Sequence, residues 1–287
     1  MRKLVTLASL CVAILYAGCT TEQVQNVAGE VITALPVESA AIIVSLTKVD
    51  PNMYGGWNGD CPGCDIDGQR MVKASRDAGI SRIVTLTNSQ ATTFRFLSQC
   101  ALAAVALKPS AEKGKRPLLL IYVSGHGGQV ANTDGTETDG QDETLCLWDG
   151  QLVDDLMWNA LVKIAKGVRV VIITDTCNSG TNYKSPRPYT NIMRARSTRS
   201  KGATMQCDLL HIGGCADGMS SYGSAGKGGE LTYALAVSSG GPNGKTWKGW
   251  YESAKGKMPR NQTPTMTVLQ TQESLGCCKI EELEAMK

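Results

Sequence analysis

Five runs of apolar, largely β-branched residues set the strongest limit on what this chain can fold into: "AAIIVSLTKV" (40–49), "SRIVTLTNS" (81–89), "PLLLIYVSG" (117–125), "VRVVIITDT" (168–176) and "DLLHIGG" (208–214). They are continuous rather than alternating, the pattern of strands covered on both faces. Segments with helical period lie between the first four, at 65–78, 91–107 and 151–166, and another follows at 229–238. Such β–α alternation predicts an α/β fold with a mainly parallel sheet and helices on both sides. With 287 residues, 42% of them hydrophobic, the chain can bury a full core. The segment 178–207 has no periodicity, is rich in Lys and Arg, and reads as an exposed loop. The glycines of "GHGGQV" open onto the polar stretch "ANTDGTETDGQDE" instead of a helix, so no phosphate loop or dinucleotide site is expected, and no organic cofactor.

The first residues carry a different message. A basic start (Arg2, Lys3), the short apolar stretch "LVTLASLCVAILY" and the small residues "AGCTT" form a secretory signal, too short to span a bilayer comfortably. The stretch "LYAGC" resembles a bacterial lipobox, with Tyr16 where an aliphatic or small residue is usual. The expectation is a signal peptide over 1–18, lipid attachment at Cys19, a tether over 19–39 and a folded domain over 40–287. The protein is then exported to the bacterial cell envelope and held to the membrane by acyl chains. Net charge is +3, and losing Arg2 and Lys3 leaves near balance, which excludes nucleic acid as an expected partner. Of eleven cysteines, Cys11, Cys19 and Cys177 are set aside, and the other eight are available for pairing in an oxidising compartment. The pair in "CPGC" (Cys61, Cys64) has no second CxxC or histidine cluster to complete a zinc site.

Reactive groups in an open parallel sheet collect beyond the carboxyl ends of its strands. The third apolar run ends in Ser124, Gly125, His126, and the fourth in Asp175, Thr176, Cys177, Asn178. If these strands are neighbours, an imidazole and a thiol arrive at one rim, as a cysteine nucleophile requires. The flanking glycines let backbone N–H groups approach an oxyanion. His211 and Cys215 form a rival pair, but their closeness in sequence reads as a strand terminus with a structural cysteine.

"SGHGG" followed by "DTCNSG", together with "GCDIDG", "DGTETDGQDETL" and "GGELTYAL", resembles the metacaspase and orthocaspase branch of the caspase-like cysteine peptidases over most of residues 40–270. Asn178 stands where that branch often has histidine. The resemblance implies a caspase-like three-layer α/β/α sandwich with a central sheet of about six strands. It implies His126 as general acid/base, Cys177 as nucleophile and the backbones of Gly127 and Cys177 as oxyanion donors. Cys64, Asp67, Ser124 and Asp175 would line the pocket for the residue before the scissile bond. Two carboxylates there favour a guanidinium or ammonium group. Calcium is the implied cofactor, at Asp142, Asp154 and Asp155, whose oxygens suit a hard cation. Lys184 takes the place of a further aspartate found in calcium-dependent members.

The expected activity is cleavage of polypeptides after Arg or Lys by a monomeric endopeptidase. Self-cleavage is expected in the basic loop, at Lys184, Arg187, Arg194, Arg196, Arg199 or Lys201. The alternative is a catalytically weak caspase-like lipoprotein that acts as a binding or signalling module.

Overall fold

A computed structural model describes residues 36–132, 139–183 and 205–269. The signal, Cys19, the tether up to residue 35 and the basic residues from Lys184 to Lys201 lie outside the described residues; the last of the expected tether, Ser39, already opens the first strand.

Six strands form the central sheet: β1 (Ser39–Ser45), β2 (Arg82–Thr87), β3 (Leu118–Ser124), β7 (Arg169–Asp175), β8 (Asp208–Gly213) and β9 (Thr265–Leu269). Their spatial order is β9–β8–β7–β3–β1–β2, parallel throughout except for β9, which runs antiparallel to β8. The order grows in one direction from β1 to β2 and in the other from β1 through β3, β7 and β8. That reversal makes the carboxyl edge of β1 and β3 the topological switch point, where such sheets open a crevice.

Strand side chains alternate between two cores. Ile42, Val44, Leu119, Ile121, Val123, Val170 and Ile172 pack with α2 (Thr93–Glu112) and α3 (Asp154–Leu161). Ile43, Leu120, Tyr122, Val171, Ile173, Leu210 and Ile212 pack with α1 (Cys64–Asp77), α4 (Glu230–Tyr233) and α5 (Trp247–Lys255). This period of two explains why the strands read as unbroken apolar runs: each face of the sheet has its own helical cover. Helix α2 starts under a Thr92 cap that accepts from the Arg95 N–H, and it runs through Pro109 to Glu112, beyond the expected end at 107.

Several features depart from the sequence reading. The polar stretch after His126 is not a plain loop, because β4 (Gly127–Ala131), β5 (Gln141–Leu147) and β6 (Gly150–Val153) form an antiparallel three-stranded sheet. The helix expected over 151–166 therefore begins only at Asp154, since "GQLV" is taken up by pairing with β5. Past Tyr233 the helix expected over 229–238 loosens into a π turn, Ala234–Ser238. The sheet has the six strands that the resemblance implies, but no sequence pattern located the sixth strand or α5. At the described ends of the 178–207 segment Ser179, Asn182, Tyr183 and Cys207 are buried, and residues 184–204 lie outside the described residues. Cys100, Cys146, Cys207 and Cys215 are buried free thiols rather than disulfide halves.

Candidate active site

Pairing of β1, β3 and β7 sets Ser45, Ser124 and Asp175 side by side in one row at the carboxyl edge. His126 and Cys177 each lie two residues beyond that row, on neighbouring strands, so register alone delivers imidazole and thiol to the same rim. A cleft of about 260 Å³ opens there. Its walls include Cys61, Cys64, Asp67, Ser124, His126, Asp175, Cys177, Ser221 and Gly229.

Two backbone features hold the rim. Gly127 presses against the carbonyl of Cys177, and a Cβ at Gly127 would overlap that carbonyl group. The start of β4 and the thiol-bearing turn are thus in backbone contact, which brings together the two backbones expected to donate to an oxyanion. Asn178 takes the left-handed conformation, φ 48°, which Asn tolerates better than most side chains. Its Oδ1 accepts from the Gly218 N–H at 3.0 Å, locking the turn after Cys177. The Cys177 sulfur accepts from the Ser221 N–H at 3.3 Å.

His126 is oriented from its far side. Its Nε2 lies 3.3 Å from the Asp60 carbonyl, an acceptor that fixes the proton on Nε2 and leaves Nδ1 as the basic nitrogen. The half-exposed Trp57 packs edge-on against the ring, with centroids 4.8 Å apart. Neither Trp57 nor Asp60 carried a sequence signal, because both act from a loop that meets His126 only in three dimensions.

The floor of the cleft holds two buried carboxylates. Asp175 is saturated: Oδ1 accepts from Ser221 Oγ at 2.7 Å, and Oδ2 from the N–H and Oγ1 of Thr232, both at 2.8 Å. Burial raises its pKa, and those hydrogen bonds counter the shift. Asp67 is fully buried and less well served. Oδ2 accepts from Ser124 Oγ at 2.9 Å and the Gly229 N–H at 2.8 Å, whereas Oδ1 has no hydrogen-bond partner among the described residues. The Arg70 guanidinium stands off at 3.6 Å. Burial, and next the nearby Asp175, push the Asp67 carboxyl up to about 7. Gly228 and Gly229 approach these carboxylates so closely that a Cβ on either would overlap them.

The expected pocket residues Cys64, Asp67, Ser124 and Asp175 therefore share one cleft with His126 and Cys177. The calcium residues do not gather in the same way. Asp142 accepts from Asn132 Nδ2, and Asp154 is buried at the start of α3 with its Oδ1 taken by the Asp155 N–H. Among the described residues no group of three or more His, Cys, Asp or Glu side chains is placed to hold a metal ion. The rival His211 lies within β8 with Nε2 3.0 Å from Thr174 Oγ1, while the Cys215 sulfur turns to the carbonyls of Thr176 and Met219. Ser221, Thr232 and Gln262 were not expected. Gln262 Nε2 donates to Ser221 Oγ at 2.8 Å, which in turn donates to Asp175.

A family model described as the caspase domain matches residues 39–273. Metacaspase-1 of Mycosarcoma maydis is 30% identical over 185 residues, which is 58% of this chain and 46% of that protein. Metacaspase-1 of Schizosaccharomyces pombe is 38% identical over 101 residues, 33% of this chain and 23% of the relative. The chain thus spans less than half the length of these curated relatives. Among solved structures, a protein of Geobacter sulfurreducens superposes with a TM-score of 0.66 at 28% identity, covering 86% of this chain and 97% of its own. Caspase-1 of Spodoptera frugiperda superposes at 0.52 with 15% identity over 80% and 86% of the two chains, a likeness of fold alone.

Two stability measurements check this geometry. Gly127→Ala is expected to lower the unfolding free energy by about 1–3 kcal/mol in denaturant titration, the usual cost of forced overpacking. For Asp67, both folded and unfolded chains are protonated well below pH 4, so no penalty exists there. Between about pH 4 and pH 7 the unfolded chain releases a proton that the folded chain keeps, and wild-type stability falls as pH rises. Asp67→Asn lacks that penalty, so its stability relative to wild type is expected to rise across this window and level off above it.

Proposed function

The chain belongs to the caspase-domain family, with both His126 and Cys177 inside the matched segment, and on that premise we propose that it is a cysteine endopeptidase cutting after Arg or Lys. The observation that carries the specificity is the pair of buried carboxylates, Asp67 and Asp175, on the floor of the cleft. Asp67 Oδ1 has no hydrogen bond and only a long ion pair with Arg70 at 3.6 Å, so a guanidinium or ammonium group from a substrate would add a close charge-assisted bond. An acidic side chain would meet two like charges instead.

In the proposed reaction the Cys177 thiol passes its proton to His126 Nδ1, and the sulfur attacks the carbonyl carbon after the basic residue. The backbone N–H groups of Gly127 and Cys177 stabilise the developing oxyanion. His126 gives the proton to the leaving amine and then takes one from water, whose hydroxide opens the thioester and frees Cys177. The Asp60 carbonyl and Trp57 keep the imidazole facing the thiol through these steps. Every group named comes from one chain, so a monomer suffices.

Two further elements rest on the sequence. The leader and the lipobox-like "LYAGC" support export and membrane attachment through Cys19. The Arg- and Lys-rich stretch from Lys184 to Lys201, joined on both sides to site-forming segments, supports self-cleavage by the same specificity.

Short fluorogenic peptides ending in Arg, Lys, Asp or Asn test the reading directly. Wild type is expected to hydrolyse the first two and Cys177→Ala none; no hydrolysis of any would favour the binding-module alternative. The KM for the Arg peptide is expected to fall as pH rises through about 7, where Asp67 ionises, and Asp67→Asn should flatten that dependence. On prolonged incubation wild type should yield fragments ending at basic residues between 184 and 201, and Cys177→Ala should stay intact.

A further inference from the structure

The cleft holds two further thiols to which the proposed reaction gives no chemical step. Cys61 and Cys64 bracket the tight turn Cys61–Pro62–Gly63–Cys64 that opens α1, and their sulfurs lie 2.7 Å apart. Among the described residues they are the only two cysteines whose sulfurs touch. The turn is held in place: Cys61 N–H donates to the Thr47 carbonyl at 2.9 Å, and Gly63, at φ 99°, packs so closely on the Ser224 carbonyl that a Cβ would overlap it. Cys64 is buried in the pocket wall and Cys61 is half-buried at its mouth, so one thiol is reachable and the other waits behind it. Closing to a disulfide bond of about 2.05 Å requires the sulfurs to approach by about 0.7 Å, within side-chain adjustment.

We propose that Cys61 and Cys64 form a reversible disulfide by exchange with an external disulfide, and that this bond weakens the pocket's hold on a basic side chain. The thiolate of Cys61 attacks one sulfur of the oxidant and expels the other as a thiolate. Cys64, losing its proton to solvent, then attacks the Cys61 sulfur of the mixed disulfide and expels the second thiolate. Two protein thiols are oxidised and one external disulfide is reduced to two thiols. The reactive role falls to Cys61, whose pKa is lowered by the hydrogen bond from Cys64.

The effect on the pocket follows from position, and it rests on the cation-pocket reading above. Both cysteines stand in the wall of the cleft whose floor carries Asp67 and Asp175, and Cys64 lies three residues before Asp67 at the start of α1. Drawing the two sulfurs together fixes both side chains in that wall and removes the adjustment by which it closes on a basic side chain.

The test uses full-length Cys177→Ala protein, which removes the catalytic thiol, equilibrated in glutathione buffers from reducing to oxidising. After alkylation and digestion, mass spectrometry is expected to find the Cys61–Cys64 peptide unalkylated and two hydrogens lighter in oxidising buffer, and doubly alkylated after dithiothreitol. Calorimetry with an Arg-ended peptide should show a several-fold weaker Kd in the oxidised form. Cys61→Ser in the same background should show one Kd in both buffers. Full alkylation of both thiols in the most oxidising buffer, or an unchanged Kd once the disulfide has formed, would overturn the proposal. Failure of the reduced protein to bind the peptide would instead remove the cation-pocket reading, and the proposed weakening with it, while the mapping still decides the disulfide.

Discussion

The in-register pairing of β3 with β7 is the constraint from which the site follows. Ser124 opposite Asp175 sets the row from which both chains depart, and two further residues on each strand reach His126 and Cys177. A slip of one residue would turn Asp175 into the α2 core and carry Cys177 away from the imidazole. The register is secured by the two apolar cores on either side of the sheet, with Leu119, Ile121 and Ile172 committed to one and Leu120, Tyr122 and Ile173 to the other. The fold's largest stabilising term therefore also positions the site.

The same arrangement forces two carboxylates into a space poor in water. Asp175 tolerates burial because Ser221 and Thr232 donate to it, and those donors are supported in turn by Gln262 and by the Tyr122 hydroxyl, 2.5 Å from Thr232 Oγ1. Asp67 lacks such a complement and keeps one oxygen without a hydrogen bond. A buried acceptor left open is unfavourable to the empty protein and favourable to a cationic ligand that fills it. Stability and specificity pull in opposite directions at this residue.

How much of this was legible in the sequence depends on the range of the interaction involved. The five parallel strands are visible as uninterrupted apolar runs, and His126 and Cys177 stand out because each follows one at a glycine-flanked turn. The small sheet β4–β6 is hidden because Gly127, Gly128, Gln129, Asp142 and Glu143 have no strand character, and they pair with residues distant in sequence. Helix α5 buries Trp247 and Trp250 beside Lys and Gly, which blurs its period. Around the site, Ser221, Thr232, Gln262, Trp57 and the Asp60 carbonyl are 41 to 69 residues from their partners in sequence, and no local pattern announces them. The carboxylates Asp142, Asp154 and Asp155 show the converse: a plausible sequence pattern whose described side chains do not converge.

The central claim is that one thiol, presented beside an oriented imidazole above a carboxylate floor, reacts with substrates bearing a basic residue. The most direct measurement is mass-spectrometric mapping after treatment with peptidyl chloromethyl ketones ending in Arg or in Asp. The account predicts rapid, stoichiometric modification of Cys177 by the Arg reagent and little by the Asp reagent. Equal modification of Cys177 by both, or no label on Cys177 with the Arg reagent, would contradict it.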